Sequence, residues 1–317
     1  MISTLLSIIL PTFGIIGVGY LSRRIKIWNK SSVDVLNNYA YYIALPALIF
    51  QSLVGANLRS TFNLTDAFFI VIVVGLHIAI ILFASGILFL LKKRINHQTR
   101  AVFPMLITFG STAYLGIPFA TYAFGAEGTV YASLLSVALV TILLFIHISI
   151  LNKFTTLKVD HNVLKSMFEL PFLWAVLVGV SWPVFNLPEL PIFVSRFLDT
   201  LAGSAGPTAL LGLGTFLYDL NPKDIPWRSA FIASFLKVTV PSVLIFVILS
   251  SLGFHGIRLV VGTAMAATSS AVTCFILSEK YKLGERLTAG TILLSVFFSL
   301  AGLSLLSYLW LGTTLFA

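Results

Sequence analysis

Charge is what this chain has least of: 10% of its 317 residues are Asp, Glu, Lys or Arg, and only 11 are acidic, against about 25% charged in an average soluble domain. A soluble fold is excluded on that ground. Cysteine is nearly absent too, and with Cys274 alone neither an intramolecular disulfide nor a cysteine metal cluster can form. The chain contains no His-x-x-x-His, no carboxylate cluster inside an apolar segment, no Gly-x-Ser-x-Gly and no phosphate loop. Metal-assisted and nucleophilic chemistry therefore lack their parts. No cofactor, metal ligand or catalytic residue is expected, and the chain does not read as an enzyme.

What is present is apolar length. Hydrophobic residues make up 58% of the chain and mean hydropathy is +1.01. Runs of the roughly 20 residues that cross a bilayer recur ten times, near 2–21, 33–55, 67–91, 101–123, 129–151, 171–187, 200–219, 229–252, 258–278 and 287–312. The net charge of +9 follows the positive-inside pattern rather than pointing to nucleic acid. Sixteen of the twenty basic residues fall in alternate connections, in clusters such as Arg23, Arg24, Lys26 and Lys30, or Lys92, Lys93, Arg94 and Arg100. The other connections hold only Arg59, Arg196 and Arg258. Both termini are accordingly expected outside, in a multi-pass protein of a bacterial inner membrane. Met1-Ile2-Ser3-Thr4-Leu5-Leu6 has no basic lead and carries its charges after the apolar run, so it reads as a retained first helix rather than a signal peptide. Asn63-Leu64-Thr65 matches the glycosylation pattern by chance.

Five spans per half is an odd number, so halves that share a fold must enter the membrane from opposite sides. Internal echoes favour such an inverted repeat. Leu10-Pro11 precedes Gly19 at the spacing at which Leu170-Pro171 precedes Gly179; Pro46-Ala47-Leu48 faces Pro207-Thr208-Ala209-Leu210, and His77 faces Lys237. The expected fold is all-α, with ten transmembrane helices in two five-helix repeats, 1–155 and 156–317.

The fourth span is interrupted by Phe109-Gly110-Ser111-Thr112-Ala113-Tyr114-Leu115-Gly116-Ile117-Pro118. This predicts a helix broken at membrane depth, which survives only where protein buries it or where it lines a cavity. Its counterpart in the ninth span, Ala266-Ala267-Thr268-Ser269-Ser270-Ala271, has small and hydroxyl residues but no proline. It reads equally as a break or as a tight helix crossing. Were both broken, two helix N-termini, each worth about half a positive charge, would point at one spot. Pro118 would then sit in a first turn and Ser269 or Ser270 at a cap, making an anion site.

Lys237 lies about ten residues inside the edge at Trp227, roughly 15 Å along a helix and therefore mid-membrane. A central lysine costs on the order of 2.5 to 3.5 kcal/mol and marks a pathway or a paired site. It reads either as a substrate contact or as a donor to carbonyls that a broken helix leaves open. His77 is either a proton relay or a packed residue. Gln51, Asn37, Asn38 and Ser204 either line the path or bond between helices, and Gly14, Gly17 and Gly19 suggest close helix packing. The candidate substrate-binding set is Ser111, Thr112, Tyr114, Pro118, Lys237, Thr268, Ser269, Ser270, Gln51 and Pro207.

Leu10-Pro11-Thr12-Phe13 through Gly19-Tyr20-Leu21-Ser22-Arg23-Arg24, then Leu45-Pro46-Ala47-Leu48-Ile49-Phe50, resembles the opening of the auxin efflux carrier family. The likeness continues through the Gly110 to Pro118 run, the Leu170-Pro171 and Gly179 pattern, and Gly206-Pro207-Thr208-Ala209-Leu210-Leu211-Gly212-Leu213-Gly214. It implies spans 4 and 9 crossing at the site, a dimer on a scaffold of spans 1, 2, 6 and 7, and a transport domain of spans 3 to 5 and 8 to 10. It also implies organic acid cargo, such as malonate or malate in bacterial members. Two positions depart from the family pattern: Ser111 stands where asparagine is usual, and Ala266-Ala267 where the ninth span usually has proline. The expected function is alternating-access transport of a small organic anion. The alternatives are a sodium- or proton-coupled symporter of the bile-acid type and a non-transporting receptor or channel.

Overall fold

A computed structural model describes residues 10–54, 64–155, 171–185, 187–219 and 225–312. Residues 2–9 of the first expected span, Asn63, Leu170 and the linker 156–170 with its repeat boundary lie outside the described residues. Among those described, the chain is helical and forms no strand. A π-turn Leu10–Gly14 leads into α1 (Ile15–Arg24); α2 (Lys30–Tyr39) and α3 (Leu45–Val54) are joined by a second π-turn, Ala40–Ala44. There follow α4 (Leu64–Leu90), α5 (His97–Thr108), a π-turn Thr112–Gly116, α6 (Ile117–Phe154), α7 (Pro171–Val184) and α8 (Ile192–Asp219). The chain continues through α9 (Trp227–Ser251), α10 (Gly256–Ala266), α11 (Val272–Tyr281) and α12 (Glu285–Gly312).

Among the described residues, four stretches are long and apolar enough to cross a membrane by length and composition: Leu64–Leu90, Thr112–Phe154, Trp227–Ser251 and Glu285–Gly312; shorter apolar helices are Leu173–Val184 and Gly256–Ala266. Local chemistry sets several ends. Asn29 accepts from the Ser32 amide at 2.9 Å and Asn96 from the Thr99 amide at 2.7 Å, each capping a helix that leaves a basic connection. In α6, Gly125 takes φ +66°, a region open to glycine, and turns the chain between a short first segment and a long second one. The seventh expected span starts earlier than hydropathy indicated: Arg196 belongs to the first turns of α8 and not to a connection.

Packing falls into two groups. α8 lies against α1, α2 and α3, and α7 lies against α3; α9 lies against α5, α10 and α12, and α4 lies against α5 and α6. In the first group a Cβ on Gly19 would overlap the Leu211 backbone and one on Gly214 the Ile16 carbonyl, so α1 and α8 touch at main-chain distance. An Arg23 to Asp219 ion pair at 2.7 Å ties their ends. Gly17, expected in such a contact, has open space where its Cβ would be.

Candidate functional site

Both the fourth and the ninth expected spans are interrupted. α5 stops at Thr108, with Phe109 extended (φ −83°, ψ 95°), and helical structure resumes at Thr112. α10 stops at Ala266, and α11 begins after an extended Ala271 (φ −71°, ψ 145°). The two unwound segments lie antiparallel, Gly110 opposite Ser270. The Ser111 amide donates to the Ser269 carbonyl at 2.7 Å, and the Ala271 amide to the Phe109 carbonyl at 3.0 Å. Each break thus satisfies backbone groups that the other sets free, which is the condition for irregular chain at membrane depth. Side-chain bulk is excluded at the contact: a Cβ on Gly110 would stand 2.5 Å from Thr268 Oγ1, and one on Gly116 would stand 2.7 Å from Met265 Sδ.

The hydroxyls work differently from the sequence expectation. Ala271, with no side-chain cap bond, precedes α11, so neither Ser269 nor Ser270 caps it. Ser270 Oγ donates to the Leu106 carbonyl at 2.8 Å, and Thr268 Oγ1 donates to the Met265 carbonyl at 2.8 Å. They close carbonyl ends of the first half-helices, because the unwound segments run back past those ends. Pro118 stands in the first turn of α6, as expected, although helical structure already resumes through the π-turn at Thr112.

A cavity of about 180 Å³ adjoins the crossing, lined by Asn37 and Tyr41, by Phe109 to Tyr114, by Ala271 to Thr273, and by apolar residues that include Val140, Leu213 and Phe216. That is room for several waters or one small organic acid. The amides of Thr112, Ala113, Tyr114, Val272 and Thr273 lie in the first turns of two helical segments, where no acceptor exists within the helix. All five residues line the cavity, and among the described residues its lining contains no acidic or basic side chain. Two helix starts therefore border it, and a helix start carries a positive partial charge.

Of the expected site residues, the structure brings Ser111, Thr112 and Tyr114 to the cavity, together with Asn37. Thr268, Ser269 and Ser270 are fully buried in the crossing and do not line it. Lys237 does not line the cavity either; its Nζ donates to the Ala266 carbonyl at 2.8 Å. His77 Nδ1 contacts the Val73 carbonyl of its own helix at 2.8 Å. Gln51 Nε2 donates to Asp199 at 2.8 Å and to Ser195 at 3.1 Å, joining α3 to α8. Pro207 sits inside an unbroken α8, beside Gly206, whose Cβ would stand 3.6 Å from Pro118 Cβ. These last three lie off the cavity. Tyr41 and Thr273 were not singled out from the sequence. Tyr41 follows Asn37 by one helical turn, a spacing that shares a face, whereas Thr273 becomes visible only once the second break is known.

A multi-pass helical chain with two paired helix breaks beside a small cavity has the build of a membrane transporter. The chain belongs to the membrane transport protein family, the auxin efflux carrier-like family, whose model matches residues 4–307. It is 27% identical over 310 residues to the "Putative malonate transporter" of Rhizobium meliloti (strain 1021), covering 95% of this chain and 94% of the relative. It is 25% identical over 316 residues to an uncharacterized transporter of Methanocaldococcus jannaschii, covering 97% and 99%. The rice protein "Probable auxin efflux carrier component 9" matches over 154 residues at 26% identity, 47% of this chain and 35% of that protein. The family and these relatives carry the names of transporters, not enzymes.

Proposed function

We propose that this protein is a secondary transporter of a small organic anion, a carboxylate of about the size of malonate, moved by alternating access. The observation that carries the reading is the convergence of two helix starts, at Thr112 and Val272, on one cavity lined, among the described residues, by no acidic or basic side chain. Ser111, Thr112, Tyr114, Asn37 and Thr273 would contact the anion, with the first-turn amides supplying the positive potential. The similarity to a protein named for malonate agrees with a carboxylate cargo.

We read the helices as ten spans in two inverted repeats, 1–155 and 156–317. α5 with the first segment of α6 is the fourth span, and α10 with α11 is the ninth. α1 to α3 with α7 and α8 form the scaffold on which two copies pair, while α4 to α6 and α9 to α12 form the moving domain. The basic connections face the cytoplasm of a prokaryote, and both termini face outward.

The test is counterflow in proteoliposomes. Labelled malonate should enter saturably and faster when unlabelled malonate is inside. A ligand at a hundred times its dissociation constant also stabilises by about 2.7 kcal/mol, so a panel of mono- and dicarboxylates should contain at least one that raises the unfolding temperature. No counterflow and no stabilisation with any member of the panel would overturn the reading.

A further inference from the structure

Lys237 is the charge that the cavity leaves unused. It is fully buried in α9, and among the described residues it pairs with no carboxylate. Its Nζ donates to the carbonyl of Ala266, the last residue of α10. The same atom lies 3.3 Å from where a Cβ on Gly110 would stand, two residues past Thr108, which ends α5. The helix end bonded to this ammonium is thus the C-terminus of α10, and the chain leaving the C-terminus of α5 passes beside it.

Each such end carries about half a negative charge, so together they amount to about one unit, the charge of one ammonium. Other carbonyls at these ends have donors of their own. The Thr263 carbonyl accepts from the Ala267 amide at 3.0 Å, the Met265 carbonyl from Thr268 Oγ1 at 2.8 Å, and the Leu106 carbonyl of α5 from Ser270 Oγ at 2.8 Å. Ala266 is left to the lysine. The helix starts at Thr112 and Val272 are thus among the residues that line the cavity, while the carbonyl end of α10 is held by Lys237. His77 does not duplicate the arrangement, since it bonds within its own helix.

We propose that Lys237 is a positioning residue, a built-in cation that neutralises the paired C-termini of α5 and α10 and so holds the crossing and the cavity's amides in place. It does not touch the transported anion. With one unit of charge supplied by the chain, the crossing needs no soluble cation to hold it.

The experiment follows thermal unfolding of the purified full chain in detergent, a readout that stands whatever the transported anion is. The wild type should unfold at the same temperature in NaCl and in KCl. Lys237→Arg, which keeps the charge, should stay near the wild type. Lys237→Gln, which keeps a donor for Ala266 but not the charge, should unfold about 5 °C lower or more. Lys237→Ala should fall as far and recover at least half of the loss when propylammonium chloride replaces choline chloride. Neutral variants that yield no folded protein while Lys237→Arg does would support the assignment. It is overturned by Lys237→Gln unfolding with the wild type, by Lys237→Arg falling as far as Lys237→Gln, by Lys237→Ala ignoring propylammonium, or by a wild type that needs Na⁺.

Discussion

A single hydrogen atom at Gly110 decides whether the two unwound segments can meet. Its missing side chain leaves the space filled by Thr268 Oγ1 on one side and Lys237 Nζ on the other, at 2.5 and 3.3 Å from the place of a Cβ. Thr268 cannot simply turn away, because its hydroxyl serves the Met265 carbonyl. Gly110→Ala is therefore expected to push the segments apart, at about 1 to 3 kcal/mol for a methyl forced into a packed site. Counterflow should fall out of proportion to that loss, since the Thr112 and Val272 amides would no longer converge. Unchanged malonate counterflow at wild-type unfolding temperature would contradict this. Much of this chemistry is legible in the sequence, because a run of glycine, hydroxyl and proline residues inside an apolar span frees backbone groups that only protein or a solvated cavity can satisfy at membrane depth. The direction of Lys237 is not legible there. Position along α9 gives its depth, but which face of the crossing it reaches depends on how α9 packs against α5 and α10, and no local pattern encodes that.

At the scale of helices, the second break shows why a missing proline misleads. α10 stops without proline where Thr268 and Lys237 take its last two carbonyls, and the segment after it gains antiparallel partners in α5's continuation. Partners from elsewhere in the chain end this helix, so its own composition signals the break only weakly. The start of α10 is held by another distant contact. Arg258 forms an ion pair with Asp66 of α4 at 2.5 Å, and Tyr131 of α6 donates to the same carboxylate at 2.9 Å. Hydropathy counted Arg258 as a connection charge and gave no hint of its partner, which lies 192 positions away. Asp66 is fully buried while the Arg258 side chain is 29% exposed. Removing the carboxylate should thus cost about 3 kcal/mol, the low end for a broken buried pair, since the arginine can still reach solvent. Asp66→Asn is expected to lower the unfolding temperature, and combining it with Arg258→Gln should add little. Full additivity in that double-mutant cycle would mean that the two side chains do not act on each other.

For the whole molecule, the position of the cavity decides which way the proposed transporter faces. Its lining draws on Asn37, two helical turns from Lys30 at the start of α2, and on Phe216, near Asp219 at the end of α8. Both are ends that meet basic connections. At the opposite end the two packing groups close on each other: a Cβ on Gly206 would stand 2.9 Å from the Tyr122 hydroxyl. With the basic connections cytoplasmic, as proposed, an alternating-access carrier in this arrangement should have its site accessible from the cytoplasm and sealed outside. The chain's single cysteine makes this measurable, because Cys274→Ala leaves no thiol at all. In that background a Thr273→Cys thiol should react with a membrane-impermeant maleimide added to inside-out vesicles and resist the reagent added to right-side-out vesicles. Malonate should slow the reaction, since Thr273 lines the cavity. Equal labelling from both sides would describe a channel, and labelling from outside alone would place the basic connections on the wrong side of the membrane. Either result would refute the orientation argued from charge, whereas protection by malonate from the cytoplasmic side ties the cargo, the cavity and the direction of opening together in one measurement.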